Sequence, residues 1–262
     1  MPIKNKKMVV YVSSFDSYED IWSPFFQCFF KYWNDCPYQI YLGSVRKKFD
    51  HSQVKMLHAK AHSNWSSRAI EHLSQIESTY VLLMLEDYML SKKVNTEEIS
   101  SLLELMDTYD LNALRLYPDP LPSRGMSGQP NIGFQDMGQL NRTNTHATIW
   151  RREALLDLIR PGESLWEFEI NASIRSNNTY PGSICGVWKP AIDYYMAIGK
   201  GKWFRSALRK LAKEGIFPNL SLRPAETPYT EVKSFILKWL GKPVRAILPL
   251  HVRQQLKRFF SF

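Results

Sequence analysis

The sequence predicts an α/β fold, a mostly parallel central sheet flanked by helices, followed by a basic helical C-terminal appendage. Three observations predict it. The chain opens strand, helix, strand, an order that favours parallel pairing. The segment Tyr80–Leu85, YVLLML, is apolar at every position, as a strand covered on both faces requires. Charge is also divided unevenly. From Gly199 to Phe262 there are eight Lys and six Arg against three Glu, a net of +11, so with +9 overall the first 198 residues carry −2. The expected division is a body over residues 1–199 and an appendage over residues 200–262.

Met8 to Ser14 reads as a buried strand, followed by a polar loop from Phe15 to Asp20. Trp22 to Trp33 reads as a helix dense in aromatics, and Tyr38 to Leu42 as a second strand that Gly43 ends. Asn64 to Glu77 reads as a helix with Ile70, Leu73 and Ile76 on one face. After the Tyr80 to Leu85 strand, Asn95 caps a helix whose Ile99, Leu102, Leu103 and Met106 follow helical spacing. Leu111 to Tyr117 reads as a strand. Pro118 to Gln139 reads as a long loop, rich in Pro and Gly, of the length that usually serves function. Asn144 to Trp150 predicts a strand, Arg152 to Ile159 a helix, Trp166 to Ile174 a helix or tight loop, and Ile192 to Ile198 an edge strand. Three basic amphipathic segments follow, beginning near Trp203, Val232 and Ile247.

Composition excludes several classes. With 44% hydrophobic and 23% charged residues, wholesale disorder is excluded. No apolar run approaches the ~20 residues of a membrane span, and Met8 to Val12 is too short for a signal-peptide core. Three cysteines, Cys28, Cys36 and Cys185, suit a reducing cytoplasm better than a disulfide scaffold. A Gly-rich phosphate loop, a zinc-ligand cluster and a GxSxG elbow are all missing, which disfavours P-loop enzymes, dinucleotide dehydrogenases and serine hydrolases.

The sharpest chemical feature is Glu86-Asp87-Tyr88, where an apolar strand ends. Ligands of open α/β sheets bind beyond the carboxyl ends of strands, and acidic oxygens there suit a hard divalent cation bridging to a diphosphate. The simpler reading is a solvated strand end. A second feature is Trp166-Glu167-Phe168-Glu169. A carboxylate wedged between aromatics is desolvated and becomes a better general base. On the simpler reading, the aromatics are core and both glutamates face solvent. A third is the loop Ser13-Ser14-Phe15-Asp16, able to take a nucleobase and ribose, with Arg68 available for phosphate. His58 and His62 stand four apart without a third metal ligand, and His146 could line the cleft.

The order of these segments carries a resemblance. SSFDSYEDIWSPFFQCFFKYW is followed by NDCPYQIYL, WSSRAIEHLSQIESTYVLLMLEDYML, LRLYP, THATIWRREALLDLIRPGESLWEFE and AIGKGKW. This resembles bacterial glycosyltransferases of the GT-A fold that build lipopolysaccharide, capsule or related surface polysaccharide, over roughly residues 8 to 216. The resemblance implies a Rossmann-like nucleotide half and an acceptor half around one sheet. It implies donor contacts from Ser13, Ser14, Asp16, Arg68, Glu86, Asp87 and Tyr88, and a divalent cation, Mn or Mg, on Asp87. The motif here is Glu-Asp-Tyr, so Tyr88 supplies no carboxylate at the third place. The catalytic base maps to Glu169, with Glu167 second. The implied reaction moves a sugar from a nucleotide-sugar donor to a glycan or lipid-linked glycan acceptor, inverting by direct displacement. The basic end suits peripheral attachment to the anionic inner face of the bacterial membrane, with no nucleic-acid partner. Two rival readings remain: a nucleic-acid-binding protein using the basic end, and an inactive scaffold in a membrane glycan-assembly complex.

Overall fold

The structure, a computed structural model, describes residues 5–60 and 64–231. His62 and the amphipathic segments expected beyond Val232 lie outside the described residues. The chain falls into two compact units divided between Tyr194 and Tyr195.

The first unit begins with β1 (Asn5–Ser13), α1 (Glu19–Tyr32), β2 (Tyr38–Ser44), β3 (Val54–His58), α2 (Trp65–Ser74), β4 (Tyr80–Leu85), β5 (Tyr88–Leu90) and α3 (Thr96–Thr108). It continues with β6 (Ala113–Arg115), β7 (Arg124–Met126), β8 (Gln129–Phe134), β9 (Thr148–Arg151), α4 (Arg152–Leu158), α5 (Leu165–Thr179) and β10 (Ile184–Val187). Nine strands form one sheet in the order β3-β2-β1-β4-β9-β6-β10-β8-β7. Only β9 and β8 run against the rest. The sheet is thus mixed and mostly parallel, with helices on both faces.

Burial explains the layers. Successive strand residues face opposite sides. Val9, Tyr11, Val81 and Leu83 pack with Ala69 and Leu73 of α2, Leu155 and Leu158 of α4, and Phe168 and Ala172 of α5. The alternate residues Val10, Val12, Leu82 and Met84 are fully buried on the other face. The buried faces of α1 (Trp22, Phe25, Phe26, Phe29) and α3 (Ile99, Leu103, Met106) serve that side. Each such ring removed from water contributes ~2–3 kcal/mol. The α3 cap is as expected: the Asn95 side chain accepts the N–H groups of Glu97 and Glu98. Gly43 is needed in β2 because a Cβ there would stand 2.6 Å from Nδ1 of His72.

Three expectations are corrected and one open one is narrowed. The stretch from Pro118 to Gln139 contains the β7–β8 hairpin, whose half-exposed, apolar-poor strands sit at the sheet edge. Trp166 to Ile174, open between a helix and a tight loop, is part of a regular helix, α5. His58 ends a strand and bonds to Ser44 Oγ at 3.0 Å, so it is not half of a helical metal pair. The segment Ile192 to Ile198 is split between two short strands outside the large sheet.

The second unit holds most of β11 (Tyr194–Met196), then β12 (Ile198–Gly199), β13 (Lys202–Trp203) and α6 (Arg205–Lys213). Lys200 and Gly201 both have positive φ, 50° and 73°, the geometry of a tight hairpin turn between β12 and β13. α6 buries Ala207 and Leu211 beside a fully buried Trp203. Of the first apolar stripe of the basic appendage, Trp203, Ala207 and Leu211 are buried and Phe204 and Leu208 half-buried, so most of it packs inward.

Candidate active site

The parallel half of the sheet delivers three strand ends to one edge. Ser13 at the end of β1 is in register with Leu85 at the end of β4, so the loops that follow start side by side. The β1 loop is pinned from both sides by indoles. Trp65 Nε1 donates to Ser13 Oγ at 2.9 Å, and Trp22 Nε1 donates to Ser14 Oγ at 2.7 Å. Both serines are buried, and these bonds fix the loop in place. Asp16 is likewise engaged. Its carboxylate accepts the backbone N–H groups of Val45, Arg46 and Lys47, which tie the loop after β2 to the loop after β1. Those donors favour the charged form and hold its pKa down, against a partial desolvation. Asp16 braces the two loops against each other.

Arg68 lies beside this loop. Its guanidinium lies 4.6 Å over the half-buried Phe15 ring, and it interacts electrostatically with Glu86, Tyr11 and Asp16. Burial pulls its pKa down, and these three partners act in the opposite direction. Phe15 with Arg68 thus makes a cation–π platform next to the acidic turn.

Glu86 and Asp87 form the two-residue turn between β4 and β5. Their surroundings differ. Glu86 is buried and acts on Arg68 and Tyr11. Asp87 acts on the hydroxyl of Tyr88, and so does Glu169 of α5. The fold therefore places the turn carboxylate and one of the two candidate bases, 82 residues apart in sequence, within electrostatic range of the same hydroxyl. Tyr88 is pushed far above the ordinary tyrosine range, first by burial and then by these carboxylates.

The two glutamates of α5 part company. Glu167 is exposed and completes a capping box with Ser164, taking the Ser164 N–H at 2.8 Å. Those bonds lower its pKa, the reverse of the desolvated base expected there. Glu167 is a helix cap. Glu169 is partly buried, and its Oε1 accepts from both Thr145 N–H (3.0 Å) and Thr145 Oγ1 (2.8 Å). The aromatics beside them also differ from expectation. Phe168 is buried against Trp65, whereas Trp166 is 59% exposed.

Tyr88 and His146 were singled out in the sequence, but Tyr117, Tyr194, Asp119 and Arg115 around them gave no sequence signal. Tyr88 stacks on His146 (5.4 Å) and Tyr194 (4.7 Å), and Tyr117 lies against the same two rings. His146 Nδ1 meets the Tyr194 hydroxyl at 2.6 Å, and its Nε2 is 3.9 Å from Asp119. Arg115 is buried beneath them, bonded to the carbonyls of Pro120, Asn141 and Arg142. Burial lowers its pKa to about 10, while Asp119, Tyr194 and Glu169 act to raise it. A buried cation under several carboxylates offsets their mutual repulsion.

Among the described residues, no three His, Cys, Asp or Glu converge as a metal-ligand group. Glu86 is buried within electrostatic range of Arg68, and the Asp87 carboxylate has hard oxygens of the kind a divalent cation takes. That set fits an ion completed by substrate phosphates and water, the habit of Mg²⁺, and does not fit an all-protein cage.

No family model and no curated protein matches this chain. Among solved structures it is similar to S. aureus TarS 1-349 in complex with UDP-GlcNAc, with a TM-score of 0.50 and 15% identity, over 75% of this chain and 60% of that one. It is equally similar to S. aureus TarS 1-349 in complex with UDP, with a TM-score of 0.50 and 15% identity, over 73% and 60%. The chain thus matches three-fifths of those structures' length. At this identity the likeness is one of fold: a mixed α/β sheet architecture that in TarS receives a nucleotide sugar.

Proposed function

We propose that this protein is a glycosyltransferase that moves a sugar from a nucleoside-diphosphate donor to an acceptor hydroxyl. The observation that carries the reading is that Thr145 holds Glu169 within electrostatic range of Tyr88, on the acidic turn that starts beside the β1 loop. The fold it shares with TarS supports the donor class, since UDP is what UDP-GlcNAc leaves when its sugar departs.

In this reading the Phe15–Arg68 platform and the braced loops after β1 and β2 receive the nucleotide. Asp87 faces the diphosphate, and a Mn or Mg ion bound there supplies charge stabilisation to the leaving group. Glu169, oriented by Thr145, takes the proton of the acceptor hydroxyl as its oxygen attacks the anomeric carbon, inverting it. The acceptor belongs to surface-glycan assembly and is lipid-linked, at the cytoplasmic face of a membrane. The support for that part is the +11 charge of residues 199–262. Among the described residues no helix is long and apolar enough to cross a membrane.

The test is turnover of UDP-GlcNAc, and of other nucleotide sugars, with wild type, Asp87→Ala and Glu169→Gln. Glu169→Gln should lower kcat at least ~100-fold with donor affinity kept, the lower range for losing a general base. Asp87→Ala should abolish transfer while the protein stays folded. Normal turnover by both variants would remove these residues from the chemistry.

A further inference from the structure

We propose that Phe217, Leu220, Leu222 and Tyr229 form a docking surface for an anionic lipid bilayer. The inference deepens the membrane half of the reading above and rests on it. Unlike that reading, it assigns the contact to particular side chains.

Large apolar side chains are exposed at ten described positions, and these four fall within a stretch of thirteen residues. Their exposures are 78% for Phe217, 47% for Leu220, 68% for Leu222 and 75% for Tyr229. Singly exposed apolar residues are ordinary, but a cluster marks an interaction surface. The loop that carries the first three is held in shape, and Tyr229 follows it in a helical turn. Ile216 and Arg223, on either side, are buried. Between them the Asn219 carboxamide oxygen accepts from Ser221 N–H (3.0 Å) and Ser221 Oγ (2.7 Å), and Leu222 N–H donates to Asn219 O at 3.2 Å. This turn leaves Leu220 and Leu222 facing outward on a loop whose ends are anchored.

Charge chooses the partner. In the second unit the described cations are Lys200, Lys202, Arg205, Arg209, Lys210, Lys213 and Arg223, against Glu214, Glu226 and Glu231. Glu226 is buried, and Glu231 is engaged by Arg205 and Arg209. Lys200, Lys202 and Lys213 are exposed. An apolar cluster in a cationic unit matches the boundary of an anionic leaflet, where rings and leucines enter the acyl edge and lysines meet headgroups. The buried stripe of α6 cannot make this contact, so the loop after it takes the role the helix was expected to fill.

The test uses the full chain and sedimentation with two vesicle types, phosphatidylglycerol mixed with phosphatidylcholine, and phosphatidylcholine alone. Wild type should bind the anionic vesicles, and added salt should weaken that binding. The double variant Phe217→Ser, Leu222→Ser should bind at least about tenfold more weakly, the consequence of two large side chains no longer leaving water. Leu121→Ser, at an exposed leucine of the first unit, should bind as wild type does. Unfolding curves of all three proteins should coincide, because the changed side chains are exposed. Double-variant binding equal to wild type would overturn the proposal, as would no wild-type binding. So would a wild-type dimer that the double variant loses, which would make the surface a contact between copies. Since no donor is present, these outcomes leave the glycosyl-transfer reading to its own assay.

Discussion

Thr145 gives both its N–H and its hydroxyl to one oxygen of Glu169, and its side chain is in turn bonded to Tyr88. The carboxylate is therefore oriented from a strand-end segment, not from its own helix. Thr145→Val keeps the shape and removes the hydroxyl. We expect kcat to fall about tenfold or more with the donor KM unchanged, and Thr145→Ser to restore it. A purely structural threonine would instead lower Tm and leave kcat alone. His72 offers a stability test. It is buried, with Nε2 on Ser44 O at 2.9 Å, so Nδ1 accepts from the Tyr11 hydroxyl at 2.8 Å. Burial brings its pKa down to about 4. Between pH 6.5 and 4 the unfolded chain binds a proton there that the folded protein does not. Stability should thus fall as pH falls through that window, by at most ~3 kcal/mol, and level off below it. Denaturant melts across this range should be flatter for His72→Gln than for wild type. At this scale the turn Glu86-Asp87-Tyr88 was legible, because two charges end an apolar run. Thr145 was not, because an uncharged residue gives no signal until its partner, 24 positions away, is folded beside it.

Elements that bury a continuous apolar stripe were readable, and α1, α3 and β4 follow their patterns closely. α5 was ambiguous because its buried face includes Ala172, Ser173 and Ser176, small residues that leave no hydrophobic period. Those serines are where the connection between β8 and β9 is fastened. Arg142 is fully buried and donates to Gln135 O (2.8 Å), Ser176 Oγ (2.7 Å) and Tyr180 O (2.7 Å). Ser173 Oγ meets Thr143 at 3.1 Å. This staple fixes the segment that presents Thr145 and His146. Arg142→Met should destabilise the protein by ~3 kcal/mol, because buried acceptors lose a charged donor. Denaturant melts would read that loss. The same change should lower kcat further than stability alone explains if assayed well below Tm, because the segment holding Glu169 is loosened.

For the whole molecule, the proposed donor site predicts a ligand-linked stability. UDP bound only by the folded state should raise stability by ~2.7 kcal/mol at a hundredfold excess over its Kd. A thermal melt with and without UDP checks this, and the shift should shrink in Arg68→Ala. The sequence by itself determined the α/β class, the parallel start of the sheet, the acidic turn after β4 and the basic end of the chain. Each of these is written in local pattern: apolar runs, caps and runs of charge. Only the tertiary structure decided that Glu167 caps its helix while Glu169 bonds to Thr145, that Ser13, Ser14 and Asp16 are hydrogen-bonded within the protein, and that Ala207 and Leu211 of α6 face inward. Helix capping, indole hydrogen bonds and burial depend on neighbours brought from distant parts of the chain. A residue's type shows what it can do, and only the packing around it shows what it is left to do.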